Sequence, residues 1–116
     1  MTIQIFGFRK DPDTRKALRF FAERRITPHF VDLKEKPASK GELRRFCDRL
    51  GIDALVDRNS KRFGELGLNS AHYEKDRWLD LLSEEPALLR TPLSRHKQHL
   101  AIGYTPDAWK EWITLQ

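Results

Sequence analysis

The chain has 116 residues, 39% of them hydrophobic and 34% charged, enough for one domain with a buried core and too few for two. No stretch approaches the roughly 18 apolar residues of a membrane helix, and the first residues read directly as a strand, so neither a spanning segment nor a secretory leader is expected. A single cysteine permits no internal disulfide and fits a reducing cytoplasm.

The net charge of +5 is unevenly placed. Residues 1–25 carry seven Lys/Arg against three Asp/Glu and residues 34–62 nine against five, whereas residues 63–89 carry two against six. Such polarity can steer an anion or an acidic partner, although solvated helix faces account for most charge runs. No phosphate loop, Ser-His-Asp set or nucleic-acid motif is visible. The aromatic residues follow core spacing rather than a stacking platform, so direct nucleic-acid binding is not expected.

Ile3-Gln4-Ile5-Phe6-Gly7 reads as a short buried strand with Ile3 and Ile5 on one face, Phe6 on the other and Gly7 relaxing its end. Asp11 then reads as an N-cap, Pro12 as the first helical residue, and Asp13 as a second charge favoured by the macrodipole. This helix is expected from Pro12 to about Arg25. Ala17, Leu18, Phe21 and Ala22 form its apolar stripe, Phe20 lies on a flank, and Arg24 and Arg25 complete the last turn. Pro28-His29-Phe30-Val31-Asp32 is a strand by composition and closes a βαβ unit.

Ser39-Lys40-Gly41-Glu42 is a capping box for a second helix that carries Leu43, Phe46, Cys47 and Leu50 on one stripe and ends at Gly51. A short turn over Ile52 to Val56 and a brief helix capped by Ser60 follow, and Gly67 breaks the chain. Asn69 or Ser70 opens a longer helix to about Leu82 that buries Tyr73, Trp78, Leu81 and Leu82, and Ser83-Glu84-Glu85-Pro86 starts one more short helical turn ending near Leu89. Thr91–Arg95 and His99–Tyr104 read as a hairpin whose turn, His96-Lys97-Gln98, lacks Gly or Asn. Thr105-Pro106-Asp107 repeats the cap-then-proline signal before a final helix that buries Trp109 and Trp112 or Ile113.

The run from Ile3 to Ala17 resembles the active-site strand, loop and helix of the ArsC/Spx family, the arsenate-reductase-like branch of thioredoxin-fold proteins. Members carry a strand ending in Gly, a Cys before the helix, and Arg-Lys-Ala, here Arg15-Lys16-Ala17. Disulfide-switch members have Cys-x-x-Cys in the frame that here reads Asp11-Pro12-Asp13-Thr14. Arg90-Thr91-Pro92 and the stretch from Gly103 to Trp109 extend the resemblance over nearly the whole chain. It implies an α/β thioredoxin-like fold in a single domain over residues 1–116. A helical insertion over about residues 39–89 would separate the N-terminal βαβ unit from the C-terminal hairpin and helix.

With Asp11 and Thr14 at the cysteine positions, the resemblance implies a pseudoenzyme of a bacterial cytoplasm, a binding or regulatory member acting through a protein partner or a small anion. The Spx branch resembles a transcription regulator that docks on RNA polymerase, so a protein partner is expected by analogy. The alternative is a glutathione- or thiol-dependent reductase of the arsenate reductase/glutaredoxin type, in which Arg9, Lys10, Arg15 and the helix N-terminus would bind the anionic thiol. Glutathione aside, no cofactor is expected. Candidate anion- or partner-binding residues are Lys10, Asp11, Arg15, Arg90 and Pro92, with Arg15, Lys16 and Arg19 as a basic contact face. Arsenate reductases have arginine immediately before the proline, whereas this chain has Thr91 there and Arg90 one step earlier, and the family's middle arginine falls at Asp57, beside Arg58. Pro92 is expected in the cis form.

Asp11 can cap the helix and pair with Arg15, or stand as a permanent mimic of a thiolate or as a general base; the Asp-Pro opening favours capping. Cys47 lies on an apolar stripe and reads as an inert core thiol. His96-x-x-His99 offers two metal ligands with no third, so surface histidines are expected and no metal.

Overall fold

The computed structural model describes residues 1–115 and contains four strands, β1 (Gln4–Gly7), β2 (His29–Asp32), β3 (Leu93–His96) and β4 (His99–Ile102). Six α-helices accompany them: α1 (Pro12–Glu23), α2 (Lys40–Leu50), α3 (Ile52–Leu55), α4 (Lys61–Glu65), α5 (Lys75–Glu84) and α6 (Pro106–Thr114). The sheet order is β2-β1-β3-β4, with β1 parallel to β2 and antiparallel to β3. A β-α-β start, a helical stretch, and a closing hairpin and helix make this an α/β thioredoxin-like fold. The chain divides into two compact units, Met1–Lys36 with Thr91–Gln116, and Pro37–Arg90. No helix among the described residues is long and apolar enough to cross a membrane.

In the sheet unit, Ile3 and Ile5 on one face of β1 pack with Ala17, Phe20 and Phe21 of α1 and Trp109 and Trp112 of α6. The rings of Phe20, Phe21 and Trp109 lie 5.1–5.5 Å apart in tilted and edge-on pairs, the geometry that aromatic quadrupoles favour. Burying Trp109 requires a partner for its indole N–H, and the buried Ser94 hydroxyl accepts that hydrogen at 2.9 Å.

Helix α1 is shorter than its apolar pattern predicts, and Arg24 and Arg25 fall outside it. Arg25 takes a left-handed φ of 59°, its N–H bonds Ala22 O, and Ile26 N–H bonds Phe21 O. These are the paired bonds of a Schellman ending, with Ile26 packed back onto the core. The left-handed site is usually glycine, so an arginine there hides the stop. The buried stripe also rotates: Phe20 is buried, Ala22 is exposed, and Leu18 is half-buried. The hairpin turn tightens to Lys97-Gln98, with Lys97 at φ 55° and Arg95 Nε donating to Lys97 O at 2.7 Å. Helix α6 starts at Pro106 as expected, yet Thr105 makes no side-chain cap and its Oγ1 is buried without a partner among the described residues.

The second unit is helical, joined by an isolated bridge between Val56 and Leu89. Buried Leu43, Phe46 and Cys47 of α2 and Trp78, Leu79 and Leu82 of α5 form the apolar faces of two helices in contact. Ion pairs Lys40–Asp80 at 2.8 Å, Arg44–Asp76 at 2.9 Å and Lys75–Asp48 run between the same helices. The capping box of α2 forms by half: Ser39 Oγ accepts from Glu42 N–H at 3.2 Å, while Glu42 Oε2 is buried without a partner among the described residues. Leu50 is exposed, because it is the last helical residue and the chain leaves at Gly51 with φ 88°. Helix α5 begins five residues later than Ser70. A 3₁₀ turn over Leu68–Ser70 is followed by extended Ala71, whose N–H bonds Leu68 O at 3.0 Å. Tyr73 therefore precedes the helix and stays exposed beside Trp78, and Leu79 rather than Leu81 completes the buried face.

Arg62 grips Glu85 with two parallel bonds, Nε to Oε2 at 2.9 Å and Nη2 to Oε1 at 2.8 Å. The hydrogen bonds and charge of Arg62 hold the Glu85 carboxyl below the usual glutamate value of 4.5. A depressed carboxylate stabilises the fold above its unfolded pKa and loses that contribution as pH falls through the folded one. Glu85→Gln should therefore lower the melting temperature at neutral pH, with the gap to wild type closing as pH drops below the ordinary glutamate range. Paired thermal melts across pH check this.

Candidate functional site

Beyond Gly7 the chain turns through a short loop, in which Asp11 N–H bonds Phe8 O at 3.0 Å, and enters α1. Asp11 is the N-cap, with extended backbone at φ −73° and ψ 122°, and Pro12 holds the first helical position. Its Oδ2 accepts three hydrogen bonds: from Thr14 N–H at 3.1 Å, from Thr14 Oγ1 at 2.7 Å and from Thr91 Oγ1 at 2.7 Å. Thr91 precedes Pro92, and the peptide bond between them is cis, as the sequence reading expects. The junction thus brings together Asp11, Thr14 and Thr91 next to Pro92. Among the described residues no ion pair joins Asp11 to Arg15; the hydroxyls take that place.

Close packing sets the geometry. Gly7 faces Thr14, and a Cβ on Gly7 would lie 2.4 Å from Thr14 Oγ1 and 2.7 Å from its Cγ2. Gly7 is thus needed for contact rather than for relaxing the strand end, and Thr14 is fully buried beneath it. The roles of Thr91 and Gly7 escaped the sequence reading. The position of a threonine immediately before Pro92 was the available signal.

The cationic candidates are placed differently. Lys10 and Arg15 are exposed in the sheet unit. Arg9 pairs with Asp32 at 3.4 Å and covers the Phe30 ring at 5.0 Å. Lys16 covers the Tyr104 ring at 5.4 Å, and Arg19 is exposed on the same helix. Arg90 belongs to the helical unit, where its Nε donates to Val56 O at 3.2 Å. Arg58 also lies there, paired with Asp53 at 3.0 Å, and the Asp57 side chain accepts from Asn59 N–H.

Cys47 is buried on α2 as expected, and burial pushes its thiol above the ordinary value, outweighing the nearby cations Lys75 and Arg44. His96 departs from the surface reading: it is buried, because the inner strand β3 packs on both sides, and its Nδ1 lies 2.9 Å from Thr2 O. A carbonyl only accepts, so Nδ1 carries the proton. The His96 and His99 rings stack 6.3 Å apart, and no group of three metal-ligating side chains occurs among the described residues.

The model of the ArsC family matches residues 9–112. Among curated proteins the chain is similar to the global transcriptional regulator Spx 2 of Oceanobacillus iheyensis, 28% identical over 97% of this chain and 84% of that one. It is also similar to the uncharacterized protein YusI of Bacillus subtilis, 24% identical over 96% and 98% of the two chains. Among solved structures it shares the fold of an arsenate reductase from Vibrio cholerae, with a TM-score of 0.84 at 23% identity over 96% and 97% of the chains.

The contact between Gly7 and Thr14 is testable by a double-mutant cycle. Gly7→Ala should destabilise the fold by about 1–3 kcal/mol, as overpacking does. Thr14→Ala removes both of the closest atoms, so the double variant should be more stable than the two single losses added together. Urea denaturation of the four proteins measures the coupling.

Proposed function

This chain belongs to the ArsC family, and within it we propose that the protein is a binding or regulatory member without thiol chemistry of its own, acting through a protein partner or a small anion in the bacterial cytoplasm. The observation that carries this reading is the Asp11 carboxylate at the start of α1, the position at which the resemblance puts the family's cysteine. A carboxylate forms neither a disulfide nor a bond to arsenic, and Oδ2 of this one is committed to Thr14 and Thr91. The sole thiol, Cys47, is buried with its pKa raised, the opposite of what a reactive thiolate needs.

Relatives named as global transcriptional regulators support a regulatory role, with a protein of the RNA polymerase kind as partner by analogy. The exposed residues Arg15, Lys16 and Arg19 on α1 offer that partner a basic face. The glutathione-dependent alternative has the Asp11 charge against it, since a fixed anion repels an anionic thiol from the same helix end.

A coupled arsenate- and disulfide-reduction assay, with glutathione supplied, tests the reading on wild type, Asp11→Cys and Cys47→Ser. Wild type should show no turnover above the blank. Asp11→Cys should gain a thiol that labels rapidly at neutral pH, because the helix N-terminus stabilises a thiolate. Wild-type turnover that Cys47→Ser abolishes would overturn the reading and make the protein an enzyme with a relocated thiol.

A further inference from the structure

The whole net charge of the protein resides in the sheet unit. Met1–Lys36 with Thr91–Gln116 carries twelve Lys/Arg against seven Asp/Glu, whereas Pro37–Arg90 carries ten against ten. In the helical unit many cations are spent on ion pairs, as in Lys40–Asp80, Arg44–Asp76, Arg58–Asp53 and Arg62–Glu85. In the sheet unit, four of the twelve Lys/Arg line a groove of about 430 Å³ between α1 and α6.

Lys16 and Arg19 line this groove from α1, Arg24 lines it from the cap that ends that helix, and Lys110 lines it from α6. All four are exposed, and a single carboxylate, Glu23, sits among them. Among the described residues Arg19, Arg24 and Lys110 have no ion-pair partner, and Lys16 reaches Asp13 only at 4.0 Å. From Lys16 to the cap residue Arg24 these cations extend over about 12 Å at roughly 1.5 Å per residue. That spread is too long for one compact anion to meet them together and matches three or four residues of extended peptide at about 3.3 Å each.

The aromatic lining argues against a nucleic-acid strand. Phe20 is buried with Arg24 stacked 3.7 Å from its ring centre, and Tyr104 has Lys16 over one side and Trp109 edge-on at 5.7 Å. The buried Phe20 ring offers no platform for a base, and the exposed Tyr104 ring already has Lys16 over it. In both pairs the charged group itself lies over the ring, and Arg24 Nη1 also donates to Phe20 O at 3.0 Å, so these two cations are held at the groove wall.

We propose that the groove between α1 and α6 seats an acidic segment of a protein partner. This rests on the binding role proposed above and gives that role a surface reaching beyond the helix N-terminus. The test is fluorescence anisotropy with a labelled oligoglutamate peptide and, in parallel, a labelled oligothymidylate. Wild type should bind the peptide, with affinity falling as salt is raised. Arg19→Glu with Lys110→Glu should weaken it by about tenfold or more, and the milder Arg19→Ala with Lys110→Ala by less. Lys10→Glu with Arg15→Glu, at the helix N-terminus, should weaken it less than the groove reversal does. If only the N-terminal reversal abolishes binding, the groove is wrong while the binding role stands. Absence of salt-sensitive peptide binding by wild type, or tighter binding of the oligothymidylate, overturns the groove outright. Turnover in the reduction assay would separately overturn the binding role. All these side chains are exposed, so unchanged far-ultraviolet circular dichroism is expected and secures the comparison.

Discussion

Three hydrogen bonds of the sheet unit converge on one oxygen atom, Oδ2 of Asp11. It caps α1 through Thr14 N–H, takes the Thr14 hydroxyl, and holds Thr91 in the approach to β3. A helix start leaves several backbone N–H groups without partners, and a carboxylate there satisfies one of them while its charge favours the helix dipole. The same atom ties residues 80 positions apart in sequence, so the loop before α1 and the segment before β3 are positioned together. Around it, Gly7 lets the strand end touch Thr14, which no larger residue would permit.

That arrangement constrains chemistry as well as structure. A thiol in this frame would draw reactivity from the helix end and its neighbouring cations. The Asp11 carboxylate caps the first turn of the helix and forms no disulfide. The scaffold is that of the ArsC family, the start of α1 is well formed, and the group held there is suited to fixing structure and charge.

Electrostatics divides the molecule in a way that segment counts along the chain do not convey. Along the chain, residues 63–89 reverse the basic balance of residues 1–25 and 34–62. In the structure Asp76 and Asp80 pair with Arg44 and Lys40 of α2, and the helical unit carries no net charge. The surplus therefore belongs to the sheet unit, where α1 and α6 bring Arg19 and Lys110 to one groove from positions far apart in sequence.

Residues whose role depends on near neighbours were legible in the sequence. The alternation of Ile3 and Ile5, the Asp11-Pro12 opening of α1, the Ser39 and Ser60 caps, and the core position of Cys47 are all local consequences of periodicity and capping, and they determined the order of elements. What only the tertiary structure decided depends on partners distant along the chain. Arg25 ends α1 in a conformation usually left to glycine, because Ile26 gains a place on the core. His96 is buried because β3 is an inner strand, and the Asp11 carboxylate finds Thr91 rather than Arg15 because the sheet brings that segment beside it. Local rules act through spacing of a few residues, whereas these outcomes follow from which surfaces the fold brings together.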